Sequence, residues 1–169
     1  EADSLRRTNP ELVIHTWSER SNNVRKLNTV KPPFDDIRVR QAMQNALDLE
    51  TMNLTYYKGQ GEWTPRGGVA PGYAAQGMTV PYEEWSPELK AKYAYDPELA
   101  ERLLDEAGLP RGADGVRFRV EYTVHQNADL SFAELQAAYW AEIGVQVDVV
   151  NTPQAQVSAL LANGPDCTA

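Results

Sequence analysis

The stretch from residue 116 to residue 150, VRFRVEYTVHQNADLSFAELQAAYWAEIGVQVDVV, decides the fold class of this chain. Apolar and polar side chains alternate over residues 116–124, which predicts a half-buried strand. Valines alternate again over residues 145–149 and predict a second strand. A helix between two such strands implies a parallel pair with a right-handed crossover, so the fold class is α/β.

The segment between the two strands has the pattern of a helix. Ser131 and Glu134 have the spacing of a capping box at its beginning, and Gly144 is a typical helix terminator. Apolar residues recur at helical spacing between these two signals and predict the face that packs on the sheet: Phe132, Leu135, Tyr139 and Ile143.

Further helices are indicated by their caps. Asp36 precedes one apolar stripe, and Asp96 followed by Pro97 precedes another that Gly108 ends. Asp48 begins a short helix, and the pair Thr152-Pro153 opens a final one. From these stripes we expect six side chains to be largely buried: Val39, Ala42, Met43, Leu103, Leu135 and Tyr139.

Two regions have less regular patterns. The β-rich run of residues 12–17 predicts a short strand. Residues 59–95 form a long segment rich in glycine, proline and aromatic residues. Its aromatic side chains either line a binding cleft or hold the segment against the domain, and the second interpretation is favoured because buried aromatic area orders long loops. These residues are Trp63, Tyr73, Tyr82 and Trp85.

Composition excludes several classes of protein. A formal net charge of −8 makes nucleic acid an unfavourable partner. Runs such as Leu12-Val13-Ile14 are far too short to cross a bilayer, and the single cysteine, Cys167, cannot form an internal disulfide.

The sequence has no recognisable catalytic or metal-binding motif. It contains neither a phosphate loop nor a dinucleotide fingerprint nor a nucleophile elbow. His15 and His125 lack cysteine or carboxylate neighbours at metal-ligand spacing, and helix capping accounts for the pair Asp35-Asp36. We therefore expect a binding protein without enzymatic activity, cofactor or metal.

Three motifs nevertheless resemble one family. Residues 27–42, LNTVKPPFDDIRVRQA, continue into Ala46-Leu47-Asp48, and residues 95–108 read YDPELAERLLDEAG. Residues 140–147, WAEIGVQV, form the third motif. In this order and spacing they resemble the solute-binding proteins of ABC transporters of the peptide/nickel class, extracellular family 5.

The resemblance implies one lobe of a periplasmic-binding-protein type II-like fold, with a mixed sheet flanked by helices. Residues 1–30 would be an incoming segment with a crossover strand, and residues 31–169 most of the second of two lobes. The family captures oligopeptides or related solutes outside the membrane and delivers them to a permease. A periplasmic or extracellular location follows, with a membrane anchor if the full-length protein is a lipoprotein.

Ligand residues can be expected only near the incoming strand. The family's Trp-x-x-Asp segment, whose aspartate pairs with the peptide amino terminus, has no counterpart here, so residues 1–169 alone should bind peptides weakly and could self-associate through an exposed sheet edge. The candidate ligand-binding residues are Trp17, Ser18, Glu19, Ser21 and Asn23.

Other functions stay open. A relative of the same fold could bind a sugar or a nickel complex, although the sequence contains no cluster of His or Met residues that favours metal. A sensor role and, with least support, an α/β enzyme fragment are the remaining alternatives.

Overall fold

The computed structural model describes residues 2–13, 15, 25–61, 63–65 and 77–162. The chain divides into two compact units, one within residues 1–24 and 66–84 and the other within residues 25–65 and 85–169. The division of the chain at residue 30 into an incoming segment and a partial lobe stays a prediction.

The first unit contains helix α1, Ala2–Thr8, and a 3-10 helix, Tyr82–Glu84. A turn at Asn9-Pro10 follows α1, in which the Leu12 amide donates to the Asn9 carbonyl over 3.1 Å. Leu12 and Val13 are exposed and belong to neither a helix nor a strand, so the strand predicted to begin there is wrong at these residues. Apolar β-forming residues become a strand only when a second strand pairs with them; the remainder of 12–17, except His15, lies outside the described residues.

The second unit contains the predicted strand–helix–strand. Strand β1 spans Phe118–His125 and strand β2 spans Val145–Thr152. They pair in parallel from Phe118↔Val145 to His125↔Thr152, so the parallel arrangement is confirmed. Within the described residues the sheet has these two strands, and the mixed sheet stays a prediction.

Among its described residues, the second unit has six helices. Besides the connecting helix they are α2, Ile37–Asn45; α3, Leu49–Tyr56; α4, Pro87–Ala91; α5, Pro97–Glu106; and α7, Gln154–Ala162. The predicted caps are confirmed, since Asp36, Asp48 and Asp96 each accept a hydrogen bond from a backbone amide of the following turn. Among the described residues, none of the helices has the length and apolar character that a bilayer-spanning helix needs.

The connecting helix α6, Leu130–Glu142, begins two residues earlier than the predicted capping box implies. Asp129 is its N-cap and accepts from the Ser131 amide over 3.0 Å, so the assignment of Ser131 as the cap is wrong. Aspartate and serine cap helices about equally well, and Asp129 lies closer to the end of β1. At the other end Gly144 adopts φ +81°, a conformation that residues with a side chain rarely adopt.

The most buried residues of α6 differ from the predicted face, of which Ile143 is buried while Phe132, Leu135 and Tyr139 are partly buried. Ala133, Gln136 and Trp140 are its buried residues, and the Trp140 indole Nε1 donates to the Met43 carbonyl over 2.9 Å. Of the six side chains expected to be buried, Val39, Ala42 and Met43 are buried, whereas the other three pack at the margin of the core and are partly exposed. Those three are Leu103, Leu135 and Tyr139.

Arg117 organises the amino edge of the sheet, where both strands begin. Its side chain is only 2% exposed and forms ion pairs with Glu101 and Asp105. The guanidinium also donates to the carbonyl oxygens of Ile143 and Leu109 over 3.0 Å and 2.7 Å. The side chain therefore connects α5, the end of α6 and the segment that leads into β1.

Arg111 completes this arrangement. Its guanidinium donates to a Glu101 carboxylate oxygen and to the Glu142 carbonyl, each over 2.6 Å. The Arg111 hydrogen bond, followed by that of Arg117, holds the pKa of Glu101 below its ordinary range. We call the four side chains Arg111, Arg117, Glu101 and Asp105 the amino-edge network.

Candidate ligand-binding site

The ligand-binding residues expected from the resemblance, Trp17, Ser18, Glu19, Ser21 and Asn23, lie outside the described residues. Their role stays a prediction. Arg25 is the first described residue after them, and it is also the first residue of the second unit. The site is therefore built outward from Arg25.

Arg25 contacts a buried amide and two aromatic rings. Its Nε donates to Oε1 of Gln136 over 2.7 Å. Its Cζ lies 5.2 Å from the ring centroid of Tyr122 and 5.4 Å from that of Phe132, within the range of cation–π attraction. Burial lowers the pKa of Arg25, but a guanidinium remains charged at every physiological pH.

Phe132 joins Arg25 to a second group of side chains. Its ring centroid lies 5.0 Å from that of Tyr56 and 5.5 Å from that of Tyr57. The Tyr56 hydroxyl donates to Oδ2 of Asp129 in a short hydrogen bond. Two aromatic residues at the end of α3 therefore lie against the first turn of α6, next to its capping carboxylate.

The surroundings of Tyr56 and Asp129 determine their protonation states. Burial, together with the hydrogen bond to Asp129, raises the pKa of Tyr56 to about 12. The same hydrogen bond lowers the pKa of Asp129. At neutral pH Tyr56 is consequently a neutral donor and Asp129 an anion.

These side chains share one location in the fold. Asp129 and Phe132 follow the carboxyl end of β1, and ligands of open α/β sheets bind outside the carboxyl ends of parallel strands. The group contains a cation, Arg25, and an anion, Asp129, connected through contacts with Phe132 and Tyr56. We call it the carboxyl-edge cluster: Arg25, Tyr56, Tyr57, Tyr122, Asp129, Phe132 and Gln136.

A second concave feature lies on the other face of the sheet. Tyr122 packs toward the core, so the neighbouring residues Glu121 and Thr123 point to the opposite face. There they border an open groove of about 400 Å³ beneath α7, whose other lining residues are Val150, Thr152, Gln156, Ala159 and Leu160. This groove is shallow and has one charged residue, Glu121, so it offers a ligand less than the carboxyl-edge cluster does.

Among the described residues, neither the histidines nor the long aromatic segment forms a metal site or a catalytic arrangement. His15 is exposed, and Nδ1 of His125 is buried without a hydrogen-bond partner among the described residues. In that part of the chain no three metal-ligating side chains come together, and Cys167 lies outside it. Trp85 packs on Tyr93 with ring centroids 5.4 Å apart, whereas Tyr73 is not described.

Sequence reasoning missed the carboxyl-edge cluster. A capping signal at Ser131 competes with the one at Asp129, and no local pattern distinguishes Tyr56 and Tyr57 from other residues of a helix end. Arg25 and Gln136 are 111 positions apart, so no local pattern indicates their contact. One usable signal was the position of Asp129 directly after the carboxyl end of a predicted strand.

Comparison with known proteins identifies the family of this chain. Residues 3–166 match the profile of the bacterial extracellular solute-binding proteins, family 5 Middle. Heme-binding protein A of Haemophilus influenzae is 33% identical over 130 residues, which cover 73% of this chain and 21% of that protein. The dipeptide-binding protein of Escherichia coli is 33% identical over 125 residues, with the same two coverages.

A solved structure agrees with both. HbpA2 from Haemophilus parasuis superposes with a TM-score of 0.61 and 28% identity, covering 82% of this chain and 25% of that one. The chain thus spans about a fifth of the length of the curated relatives it matches. With a parallel α/β unit, three motifs in family order and a profile match along nearly its whole length, the chain belongs to the bacterial extracellular solute-binding proteins of family 5.

Proposed function

We propose that this chain contributes to the capture of short peptides by the solute-binding subunit of an ABC importer. The observation that carries the proposal is the carboxyl-edge cluster, in which contacts with aromatic rings connect the cation Arg25 to the anion Asp129. Family membership and the similarity to a dipeptide-binding protein support it.

A short peptide complements this arrangement because it is a zwitterion with apolar side chains. Its carboxylate would accept hydrogen bonds from the Arg25 guanidinium, and its ammonium group would approach Asp129. Charge-assisted hydrogen bonds of this kind each contribute roughly 1.5–3 kcal/mol. The rings of Tyr56 and Phe132 would contact the peptide between its two ends.

The proposal also sets the partner and the place of action. A solute captured outside the cytoplasmic membrane has to be passed to a permease, and the family description as extracellular supports that location. Residues 17–23, which end two positions before Arg25 in the sequence, stay proposed ligand contacts on the family resemblance alone.

A second candidate ligand is heme, because a heme-binding relative is as similar to this chain as the dipeptide-binding one. Aromatic rings beside an arginine suit a flat macrocycle that carries carboxylates. The two candidates differ in one respect, since heme has no ammonium group and would leave Asp129 without a role.

Calorimetric titration of the full-length polypeptide tests the proposal. A dipeptide with free termini is compared with its N-acetylated and C-amidated forms, and hemin is titrated separately. We expect saturable binding of the free dipeptide and a loss of about tenfold or more on blocking either end, equivalent to roughly 1.4 kcal/mol per tenfold. Binding of hemin without binding of any peptide would overturn the proposal.

A further inference from the structure

Gln136 is an unexpected residue on the core side of α6. It is 4% exposed and shares the buried face with Ala133 and Trp140. A buried amide is costly unless it is hydrogen-bonded, and an aliphatic residue of similar volume would pack there without that cost. The hydrogen bond from Arg25, 2.7 Å long, supplies a reason for the amide.

The position of Arg25 gives this bond a further consequence. The chain passes from the first unit to the second between Val24 and Arg25, directly after the candidate ligand residues 17–23. Gln136 lies one helical turn beyond Phe132 on α6, so both side chains meet the same guanidinium from one helix face. Two contacts from one rigid helix therefore fix where the chain enters the second unit.

We propose that Gln136 is a positioning residue for ligand capture, acting through Arg25 rather than by touching the ligand. It sets the orientation of the Arg25 guanidinium. This inference rests on the proposed function for its ligand. Its own content is the dependence of binding on the Gln136–Arg25 hydrogen bond.

A double-mutant cycle separates this role from a merely structural one. The variants are Q136M, R25M and the double variant R25M/Q136M in the full-length polypeptide, each titrated with the free dipeptide and with hemin. We expect Q136M to weaken binding about tenfold, and Q136M in the R25M background to change binding less than twofold, because the partner through which Gln136 acts is already absent. Thermal unfolding of Q136M should fall somewhat below that of the wild type, because the Arg25 Nε–H loses its acceptor; the cycle separates this loss of stability from the effect on binding.

The other face of the sheet provides a matched control. Nε of Arg119 donates to Oε1 of Gln146 over 3.0 Å, which is the same pair of groups in an exposed setting. We therefore expect Q146M to bind the ligand as the wild type does.

The outcomes are distinct. Additive effects of Q136M and R25M, or wild-type affinity in Q136M, would overturn the positioning role while leaving the proposed function intact. If the wild type binds hemin and no peptide, the proposed function fails and the same cycle is read with hemin. If neither ligand binds, both proposals are wrong.

Discussion

The two edges of the β1–β2 pair each centre on an arginine, and they use it differently. At the amino edge, Arg117 is 2% exposed and donates to two carboxylates and two backbone carbonyls that belong to fixed elements. At the carboxyl edge, Arg25 meets an uncharged amide and two aromatic rings. Ion pairs and backbone carbonyls hold Arg117 within the fold, whereas Arg25 lies beside aromatic rings, where we propose that it meets a ligand.

The largest loss of stability should follow from replacing Arg117, the centre of the amino-edge network. R117M leaves the Ile143 and Leu109 carbonyls without their donor, leaves Asp105 without its cation and leaves Glu101 paired with Arg111 alone. We expect the free energy of unfolding to fall by about 3 kcal/mol, at the low end for a broken buried pair because both carboxylates reach water. Urea titration measures this change.

Arg119 is the control for that variant. It is the next arginine along the chain, and its ion pair with Asp114 is exposed on both sides. R119M should cost less than about 0.5 kcal/mol. Equal losses of unfolding free energy in R117M and R119M would show that the amino-edge network stabilises the protein no more than an exposed ion pair does.

A smaller loss of stability is expected at the carboxyl edge. R25M removes one hydrogen bond and two cation–π contacts but retains an apolar side chain against the rings. The free energy of unfolding should fall by about 1 kcal/mol. If urea titration gives a loss as large as that of R117M, the two edges do not differ in the way proposed.

Lowering the pH should reduce the contribution of Glu101 to the stability of the protein. The hydrogen bonds from Arg111 and Arg117 lower the pKa of Glu101 below its ordinary value of 4.5. The unfolded chain therefore takes up this proton first as the pH falls, so the stabilisation is complete above about pH 4.5 and is lost as the pH passes through the lower, folded pKa. Because Glu101 is 40% exposed, its share should stay under about 1 kcal/mol.

Unfolding titrations between about pH 6 and about pH 3 measure that loss. The E101Q variant cannot titrate at this position, so its stability should fall less steeply over the same range. Parallel pH profiles for the two proteins would contradict the assignment.

The smallest effect on stability is expected for D129N. Asparagine caps helices about as well as aspartate, so the free energy of unfolding should change by less than about 0.5 kcal/mol. The neutral side chain no longer favours protonated Tyr56 by its charge, and the pKa of Tyr56 should fall below its value of about 12. Spectrophotometric titration of the tyrosines against the wild type checks this; an unchanged pKa would mean that burial alone sets it.

Much of the second unit could be predicted because its patterns are local. Strand alternation, the Asp36 and Asp96 caps and the terminating Gly144 each depend on neighbours within a few positions. The errors arise where two local solutions are equivalent. Ser131 and Asp129 both fit a cap, and Leu103 and Leu104 both fit the apolar stripe, although only Leu104 is fully buried.

The candidate site was harder to predict for a physical reason. Arg25 meets Gln136, in the middle of α6, across 111 positions, and Tyr56 meets Asp129 across 73 positions. Such contacts depend on how helices pack on the sheet, which propensities do not encode. The residues suggested by the family resemblance, Trp17 to Asn23, lie outside the described part of the chain.

The parallel register has a consequence for synthesis. Every residue of β1 pairs with a residue that leaves the ribosome only after the whole of α6 has been made. Until then the nascent chain can hold α6 as a helix, since helical contacts are local, but it cannot close the sheet. The emergence of β2 is thus the moment at which the carboxyl-edge cluster gains its supporting strands, and a translational pause before residue 145 would delay the site without delaying the earlier helices.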